Sequence, residues 1–220
     1  MSARLPRLRA GAPLIFDLDG TLNDSRPAIR QAALTSSRRV LGEPLDLDRV
    51  VIEISRGVPA AMAEMCPDRA EELAEAFVED FVPIFSPMAR PCPGVRELLG
   101  AAHAAGDRLA IVTSNVRPAV EQIEEDCGIA QWTDAVVTAD DGYRPKPDPE
   151  PVLAALDRLG SRPDAGAMVG DSPYDGLAGR AAGLTTIAVS LGLLSRASLE
   201  AAEPDAIADV PADLASLLGV

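Results

Sequence analysis

The chain has 220 residues, 47% of them hydrophobic and only 3% aromatic, so it can form one ordinary domain, or a core with a small insert, packed mainly with alanine, leucine and valine. Its formal net charge of −14 argues against binding to nucleic acid or to anionic membrane surfaces. The three cysteines form no CxxC pair, so we expect neither zinc nor disulfides but reduced thiols in a cytoplasmic protein. No apolar run is long enough for an export signal or a membrane span.

Short apolar runs, each followed by a polar turn and a helical pattern, recur along the chain. The predicted strands are residues 13–16, 109–112, 135–137, 167–169 and 186–189. The predicted helices that alternate with them are residues 94–105, 117–127, 149–159 and 174–182. This alternation predicts an α/β fold with a parallel sheet covered on both faces, which binds its ligand beyond the carboxyl ends of the strands.

The alternation is interrupted between residues 24 and 90, where the pattern is helical throughout. The predicted helices of this segment are residues 27–41, 47–54, 59–65 and 68–85. Prolines at 83, 87, 91 and 93 are expected to mark the return to the sheet. Residues 24–90 are therefore predicted to form a lid tethered near Asp24 and Arg90, and residues 1–23 and 91–220 to form the core.

Polar side chains follow four of the predicted strands. Asp17 and Asp19 follow the first strand within DLDGT, and TSN places Thr113, Ser114 and Asn115 after the second. The loop after the third strand is YRPKPDP, which carries Lys146, the only lysine of the chain. GDSPYD places Asp171 and Asp175 after the fourth. Each motif alone is ordinary turn or helix-cap chemistry, but together they predict one polar site at one edge of the sheet.

The single histidine, His103, lies in an alanine-rich helical stretch, so serine–histidine or cysteine–histidine catalysis is not expected and acid–base chemistry falls to carboxylates. A compact ammonium at Lys146 is a point charge that can contact several separate acceptors, whereas an arginine is broad and planar. This difference is our explanation for the one lysine in a chain that otherwise uses arginine.

With these motifs, the chain resembles the haloacid dehalogenase superfamily of aspartate-nucleophile hydrolases, and within it the phosphoglycolate phosphatase type. The resemblance covers roughly residues 12 to 191 and includes FDLDGTLNDS, TSN, the lysine loop and VGDSPYDG. It implies a Rossmann-like core and identifies the helical insert as similar to an inserted α-helical cap of type C1. It also implies a phosphoric monoester hydrolase that acts on a small phosphorylated molecule such as phosphoglycolate or a sugar phosphate.

The resemblance also assigns roles to residues. Asp17 is expected to be the nucleophile that forms an aspartyl-phosphate, and Asp19 the acid that protonates the leaving alkoxide and later activates water. Mg²⁺ would be held by the Asp17 carboxylate, the Asp19 backbone carbonyl and the Asp171 carboxylate. Thr113 and Lys146 are the further catalytic residues, and Asp175 would orient Lys146 or a water on the metal.

The remaining predictions concern substrate binding. Ser114 or Asn115 would help Thr113 bind the phosphoryl group, and Arg56 in the lid is the candidate for a second anionic group of the substrate. Asp19 argues against a dehalogenase, and the absence of a lysine from the lid argues against a phosphonate hydrolase. A phosphomutase of the same fold and a non-catalytic binding module stay open as alternatives. The protein is expected to be a monomer or a homodimer.

Overall fold

A six-stranded parallel sheet lies at the centre of the part of the chain that the computed structural model describes, which is residue 8 and residues 11–163, 166–190, 194 and 196–220. The outermost residues of the predicted core, from residue 1, and of the resemblance, at residue 191, lie outside this part. The strands of the sheet are β1 (Pro13–Phe16), β4 (Arg108–Val112), β5 (Ala135–Val137), β6 (Ala167–Gly170), β7 (Thr185–Val189) and β8 (Ala206–Ala208). Their order is β5-β4-β1-β6-β7-β8, so the predicted α/β fold is confirmed.

Helices cover both faces of this sheet because successive side chains of a buried strand point to opposite sides. Ile15 of β1 packs with α7 (Glu150–Leu159) and α8 (Pro173–Ala181). Leu14 and Phe16 belong to the larger buried cluster on the other side. The helices of that side are α5 (Val95–Ala104), α6 (Arg117–Cys127) and α10 (Pro211–Leu218).

Between β1 and β4 the chain forms a helical insert. Its helices are α1 (Arg26–Leu41), α2 (Leu47–Glu53), α3 (Val58–Met65) and α4 (Ala70–Met88). The segments that enter and leave the insert, β2 (Asn23–Asp24) and β3 (Arg90–Pro91), pair with each other in an antiparallel two-stranded ribbon in which Asp24 lies opposite Arg90. The two predicted tethers are thus neighbours in space.

The prediction that Pro83 and Pro87 mark the end of the insert is wrong, because both lie inside α4, which continues to Met88. An internal proline removes one helical hydrogen bond and costs about 3 kcal/mol. A buried stripe of phenylalanines opposes this cost. Phe77 and Phe81 have ring centroids 5.5 Å apart, Phe81 and Phe85 4.6 Å apart, and all three belong to the larger buried cluster.

Several short elements were not predicted. These are the strands β2, β3 and β8, and the helices α9 (Arg196–Glu200) and α10. Strand β8 is only Ala-Ile-Ala, which is too short and too alanine-rich to stand out from its surroundings. Within the described ranges, no helix combines the length and apolar character needed to cross a bilayer.

Candidate active site

Three adjacent parallel strands bring the predicted site residues to one edge of the sheet. β4, β1 and β6 are neighbours, and their carboxyl ends carry Thr113, Asp17 and Asp171. Lys146 reaches the same place from the loop between β5 and α7. All four side chains are buried, with no more than 7% of any residue exposed.

The ammonium of Lys146 has three acceptors at hydrogen-bonding distance. Its Nζ lies 2.6 Å from Asp17 Oδ1, 2.6 Å from Asp175 Oδ1 and 3.1 Å from the carbonyl oxygen of Val112. An ammonium has three N–H donors, so each can have its own acceptor. Burial lowers the pKa of Lys146, but attraction to Asp17 and Asp175 outweighs this effect and raises its pKa above the ordinary value. Lys146 is therefore charged at neutral pH.

Asp175 is fixed in place by the start of helix α8. Its Oδ2 accepts hydrogen bonds from the backbone N–H of Ser172 at 3.1 Å and from the Ser172 hydroxyl at 2.6 Å. The Ser172 oxygen in turn caps the helix by accepting from the backbone N–H of Asp175. A side chain at Gly170 would come within 2.4 Å of the Asp175 Cβ, so glycine there leaves the room that Asp175 occupies. Through these contacts Asp175 holds Lys146 against Asp17.

Asp19 and Asn115 form a second polar pair beside Asp17. The Asn115 amide Nδ2 donates to Asp19 Oδ2 at 3.0 Å. Burial raises the pKa of Asp19 above its ordinary value, although hydrogen bonds, including that from Asn115, act in the opposite direction. The Thr113 hydroxyl oxygen accepts from the backbone N–H of Asn115 at 3.1 Å, which leaves its own hydrogen to donate elsewhere. Asn115 thus positions Asp19 and Thr113.

The carboxylates of Asp17, Asp171 and Asp175 lie within 4.8 Å of one another and are buried. With Lys146 among them, three carboxylates and one ammonium leave a net charge of −2 when all are ionised. Buried carboxylates that lie close together repel one another, and carboxylate oxygens are the ligands that Mg²⁺ prefers. A Cβ at Gly20 would lie 2.0 Å from Asp171 Oδ2, so Asp171 packs directly against the loop that follows Asp17. The donor set therefore fits a hard divalent cation.

Burial also acts on the pKa of the nucleophile candidate. It raises the pKa of Asp17; the ammonium of Lys146 lowers it, and the Asp175 carboxylate raises it further. A cation beside Asp17 favours its ionised, nucleophilic form.

The helical insert contacts the core beside this site. The Ser114 hydroxyl donates to the Ser55 carbonyl of the insert at 2.7 Å. The guanidinium of Arg56 lies over the ring of Tyr174, 5.5 Å from its centroid, and 3.4 Å from Glu53. The Tyr174 hydroxyl donates to the same glutamate at 3.3 Å. In this arrangement Ser114 and Arg56 link insert and core. Ser114 also lines both cavities of this region and Arg56 the larger one, so their role in substrate binding stays a prediction.

Two cavities lie between the insert and the core. The first, of about 60 Å³, is lined by Asp17, Asp19 and Asn115 on the core side. The second, of about 410 Å³, is lined by Lys146, Tyr143 and Arg56 among others. Both cavities have Val58, Thr113 and Ser114 in their walls. They therefore meet beside Thr113.

Sequence reasoning did not identify Tyr174, Glu53 or the Val112 carbonyl as parts of this region. Tyr174 lies within GDSPYDG, at the start of helix α8, and an aromatic residue there carries no signal of the insert residue that it will contact. A backbone carbonyl carries no signal in the residue type at all.

The chain is similar to known hydrolases over most of its length. Residues 14–189 match the family model described as haloacid dehalogenase-like hydrolase. A protein named "Probable phosphatase IndB" from Dickeya dadantii is 35% identical over 205 residues, covering 89% of this chain and 88% of its own. Pyrophosphatase PpaX from Bacillus velezensis is 32% identical, covering 94% of this chain and 96% of its own.

Two further proteins are similar over most of their length. Phosphoglycolate phosphatase from Salmonella typhimurium is 32% identical, covering 93% of this chain and 91% of its own. The crystal structure of a hydrolase from Pseudomonas syringae superposes with a TM-score of 0.81 at 26% identity, covering 94% of this chain and 98% of that one.

Proposed function

Because the chain belongs to the haloacid dehalogenase-like hydrolase family and is a phosphatase of that family, we propose that it hydrolyses a small phosphate monoester through an aspartyl-phosphate on Asp17 with the help of Mg²⁺. The observation that carries this proposal is the buried pair of Asp17 Oδ1 and Lys146 Nζ, 2.6 Å apart, beside a cavity that Asp19 also lines. Phosphoglycolate and sugar phosphates are the substrates to which the sequence resemblance points.

In the first half of the reaction, an oxygen of Asp17 attacks phosphorus while the bond from phosphorus to the leaving oxygen breaks. Lys146 reduces the repulsion between the Asp17 carboxylate and the dianionic phosphoryl group. The Thr113 hydroxyl donates to a phosphoryl oxygen, as do the backbone N–H groups of Leu18 and Asp19. The proton of Asp19 moves to the departing alkoxide, and burial favours this protonated starting form.

In the second half, Asp19 is ionised and removes a proton from a water molecule. The water oxygen attacks phosphorus, and the bond between Asp17 and phosphorus breaks to release inorganic phosphate. Asn115 holds the Asp19 carboxylate through both halves, since its amide donates to Asp19 Oδ2.

Mg²⁺ would be held by the Asp17 and Asp171 carboxylates and the Asp19 backbone carbonyl, while Asp175 orients Lys146. When bound, this ion would neutralise charge on the phosphoryl oxygens.

We further propose that residues 24–90 act as a cap over the site, because the two cavities lie between them and the core. The three free thiols, at Cys66, Cys92 and Cys127, support a reducing compartment such as the cytoplasm.

A chemical trapping experiment tests the covalent step. With Mg²⁺ and an aryl phosphate, whose leaving group departs without a proton from Asp19, the Asp19→Asn variant is expected to accumulate phosphoryl groups on Asp17, because water is no longer activated. Peptide mass spectrometry after acid quenching locates the modification, and Asp17→Asn is the control without the acceptor. Phosphate release with no modification of Asp17 in any quenched sample contradicts the proposal. Transfer of the phosphoryl group to a second hydroxyl of the substrate would identify a phosphomutase instead.

A further inference from the structure

A substrate with a second negative charge requires a cation or hydrogen-bond donors in the walls of the two cavities, but these walls are mainly apolar. On the insert side, the cavity beside Asp17 is lined by Ile29, Ile54, Val58, Phe77 and Phe81, with Ser55 as the one polar residue. The Ser55 carbonyl already accepts the Ser114 hydroxyl. The surface that faces the nucleophile from the insert is therefore apolar.

The larger cavity continues this apolar surface outward. Its walls include Pro59, Val78, Val116, Tyr143 and Pro145. Val78, Val116 and Tyr143 are 45%, 41% and 41% exposed, which makes them three of the seven exposed large apolar side chains in the described part of the chain. A soluble protein rarely gathers such side chains around one cavity unless the cavity binds something apolar.

The cations of these walls are already paired. Among the described residues that line either cavity, the cationic side chains are Arg56, Arg144 and Lys146. Arg144 contacts Asp148 at 2.9 Å and Glu150 at 2.7 Å, and Arg56 lies beside Glu53. Lys146 holds Asp17 and Asp175.

We infer that the leaving group of the substrate is an apolar alcohol with no second anionic group, and that it lies against the insert where the two cavities meet. This inference rests on the proposed function, since the phosphoryl group must be held at Asp17 and Thr113, but it departs from phosphoglycolate and sugar phosphates, the substrates to which the sequence resemblance points. From there, the organic part extends past Val58 into the larger cavity, whose volume of about 410 Å³ suits a medium-sized apolar group. A second carboxylate or phosphate there would meet apolar side chains and lose its hydration without gaining a partner.

A series of primary alkyl phosphates tests the inference, because ethyl, butyl and hexyl phosphate differ in apolar area but have leaving alcohols of nearly equal acidity. With Mg²⁺, kcat/KM is expected to rise about tenfold or more from ethyl to hexyl phosphate, as apolar pockets discriminate between methylene groups. The hexyl analogue with a terminal carboxylate is expected to fall about tenfold or more below hexyl phosphate. Phosphoglycolate and inorganic pyrophosphate complete the panel as small substrates with two anionic groups.

Two matched variants locate the effect. Val78→Lys places an ammonium at the rim of the larger cavity, whereas Val82→Lys places it one turn further along α4, at a 59% exposed position outside both linings. Val78→Lys is expected to raise kcat/KM for the carboxylate analogue relative to hexyl phosphate about fivefold, through local attraction. Val82→Lys is expected to leave that ratio within about twofold of the unmodified protein, because its charge stays in solvent.

The possible outcomes distinguish failure of this inference from failure of the proposed function. Phosphate release from the whole series with equal kcat/KM for ethyl and hexyl phosphate, or with the dianionic substrates preferred, overturns the inference and leaves the proposed function standing. An equal change of ratio in the Val78 and Val82 variants also overturns the inference. Failure to hydrolyse any member, with no phosphoryl group found on Asp17, overturns both.

Discussion

Lys146 shows at the scale of one residue why the chain keeps a single ammonium. Each of its three N–H groups has an acceptor: two carboxylates on different loops and one strand carbonyl. A guanidinium is planar and bulkier than an ammonium. Because only 3% of Lys146 is exposed, we expect an arginine at this position to displace Asp17 or Asp175. The choice of lysine over arginine at this position is therefore explained by the shape of the donor and not by its charge alone.

The Lys146→Arg substitution is accordingly expected to lower kcat by about a hundredfold or more, because the cation no longer lies at the position where charge develops in the transition state. Steady-state phosphate release with Mg²⁺ measures the effect, and circular dichroism checks that the fold persists. Arg108→Lys, at the opposite end of β4, is the control for a general arginine–lysine exchange. An arginine variant with near-normal kcat would refute the account of Lys146.

At the scale of elements, the loop between α2 and α3 decides how the insert meets the core. Residues Ile54–Arg56 form a single 3₁₀ turn, and Gly57 follows with φ 94° and ψ 150°. This conformation is close to exclusive to glycine. Apart from the two neighbouring residues, no heavy atom of the described residues lies within 4 Å of the Cβ that a larger residue would add. The backbone conformation alone thus requires glycine, and it directs Ser55 and Arg56 toward the core.

Gly57→Ala is therefore expected to lower the free energy of unfolding by about 1–2 kcal/mol, entirely through backbone strain. It should also lower kcat/KM by displacing the contacts of Ser55 and Arg56. Gly176→Ala is the matched control, since Gly176 lies within helix α8 and also has no heavy atom within 4 Å of its added Cβ. There alanine should raise the free energy by up to about 1 kcal/mol. Urea denaturation measures both, and equal shifts would contradict the argument.

The sequence predicted the core elements well where residue type and spacing carry the signal. Strand β1 and helix α6 have the predicted bounds, because a run of bulky apolar residues and a proline-started amphipathic helix are both local patterns. The end of α4 was missed because its phenylalanine stripe is stabilised by packing against other helices, which outweighs the local effect of two prolines. Local rules cannot include a partner that lies elsewhere in the chain.

The site shows the same division. Asp17, Thr113 and Asp171 follow strands directly and Asp19 lies two residues further on, so strand order and parallel direction suffice to bring them to one edge. Lys146 lies in the loop between β5 and α7, which returns to the same edge. The contacts of Ser114 and Arg56 depend on where the insert lies over the core, and no residue pattern encodes that position. For this reason the convergence of the core side chains was easier to predict than the contacts of the insert.

At the scale of the whole molecule, both the chain and its candidate site carry an excess of negative charge. The chain carries a formal charge of −14, and the buried cluster of Asp17, Asp171 and Asp175 with Lys146 remains negative by itself. Such a cluster is under electrostatic repulsion in the folded state, and this repulsion is relieved when a cation binds. Metal binding should therefore stabilise the whole fold.

Excess Mg²⁺ is expected to raise the free energy of unfolding by about 3 kcal/mol at a hundredfold excess over its Kd, because it binds the folded chain and not the unfolded one. Thermal denaturation with Mg²⁺ and with EDTA measures this difference. Asp171→Asn should stabilise the metal-free protein, by removing one buried charge, and lose most of the Mg²⁺ effect. An undiminished response in that variant would show that the ion binds elsewhere.

The two-residue ribbon of β2 and β3 has a consequence for how such enzymes diversify. Because Asp24 and Arg90 lie opposite each other, the insert begins and ends at the same place on the core. It can therefore be exchanged as one segment. Exchanging the intervening segment with that of a relative should yield chimeras in which the donor dictates which alcohol is released while the recipient keeps its hydrolytic machinery. Under the proposed function, exchange of the insert would then change the substrate without changing the strands that carry the site residues.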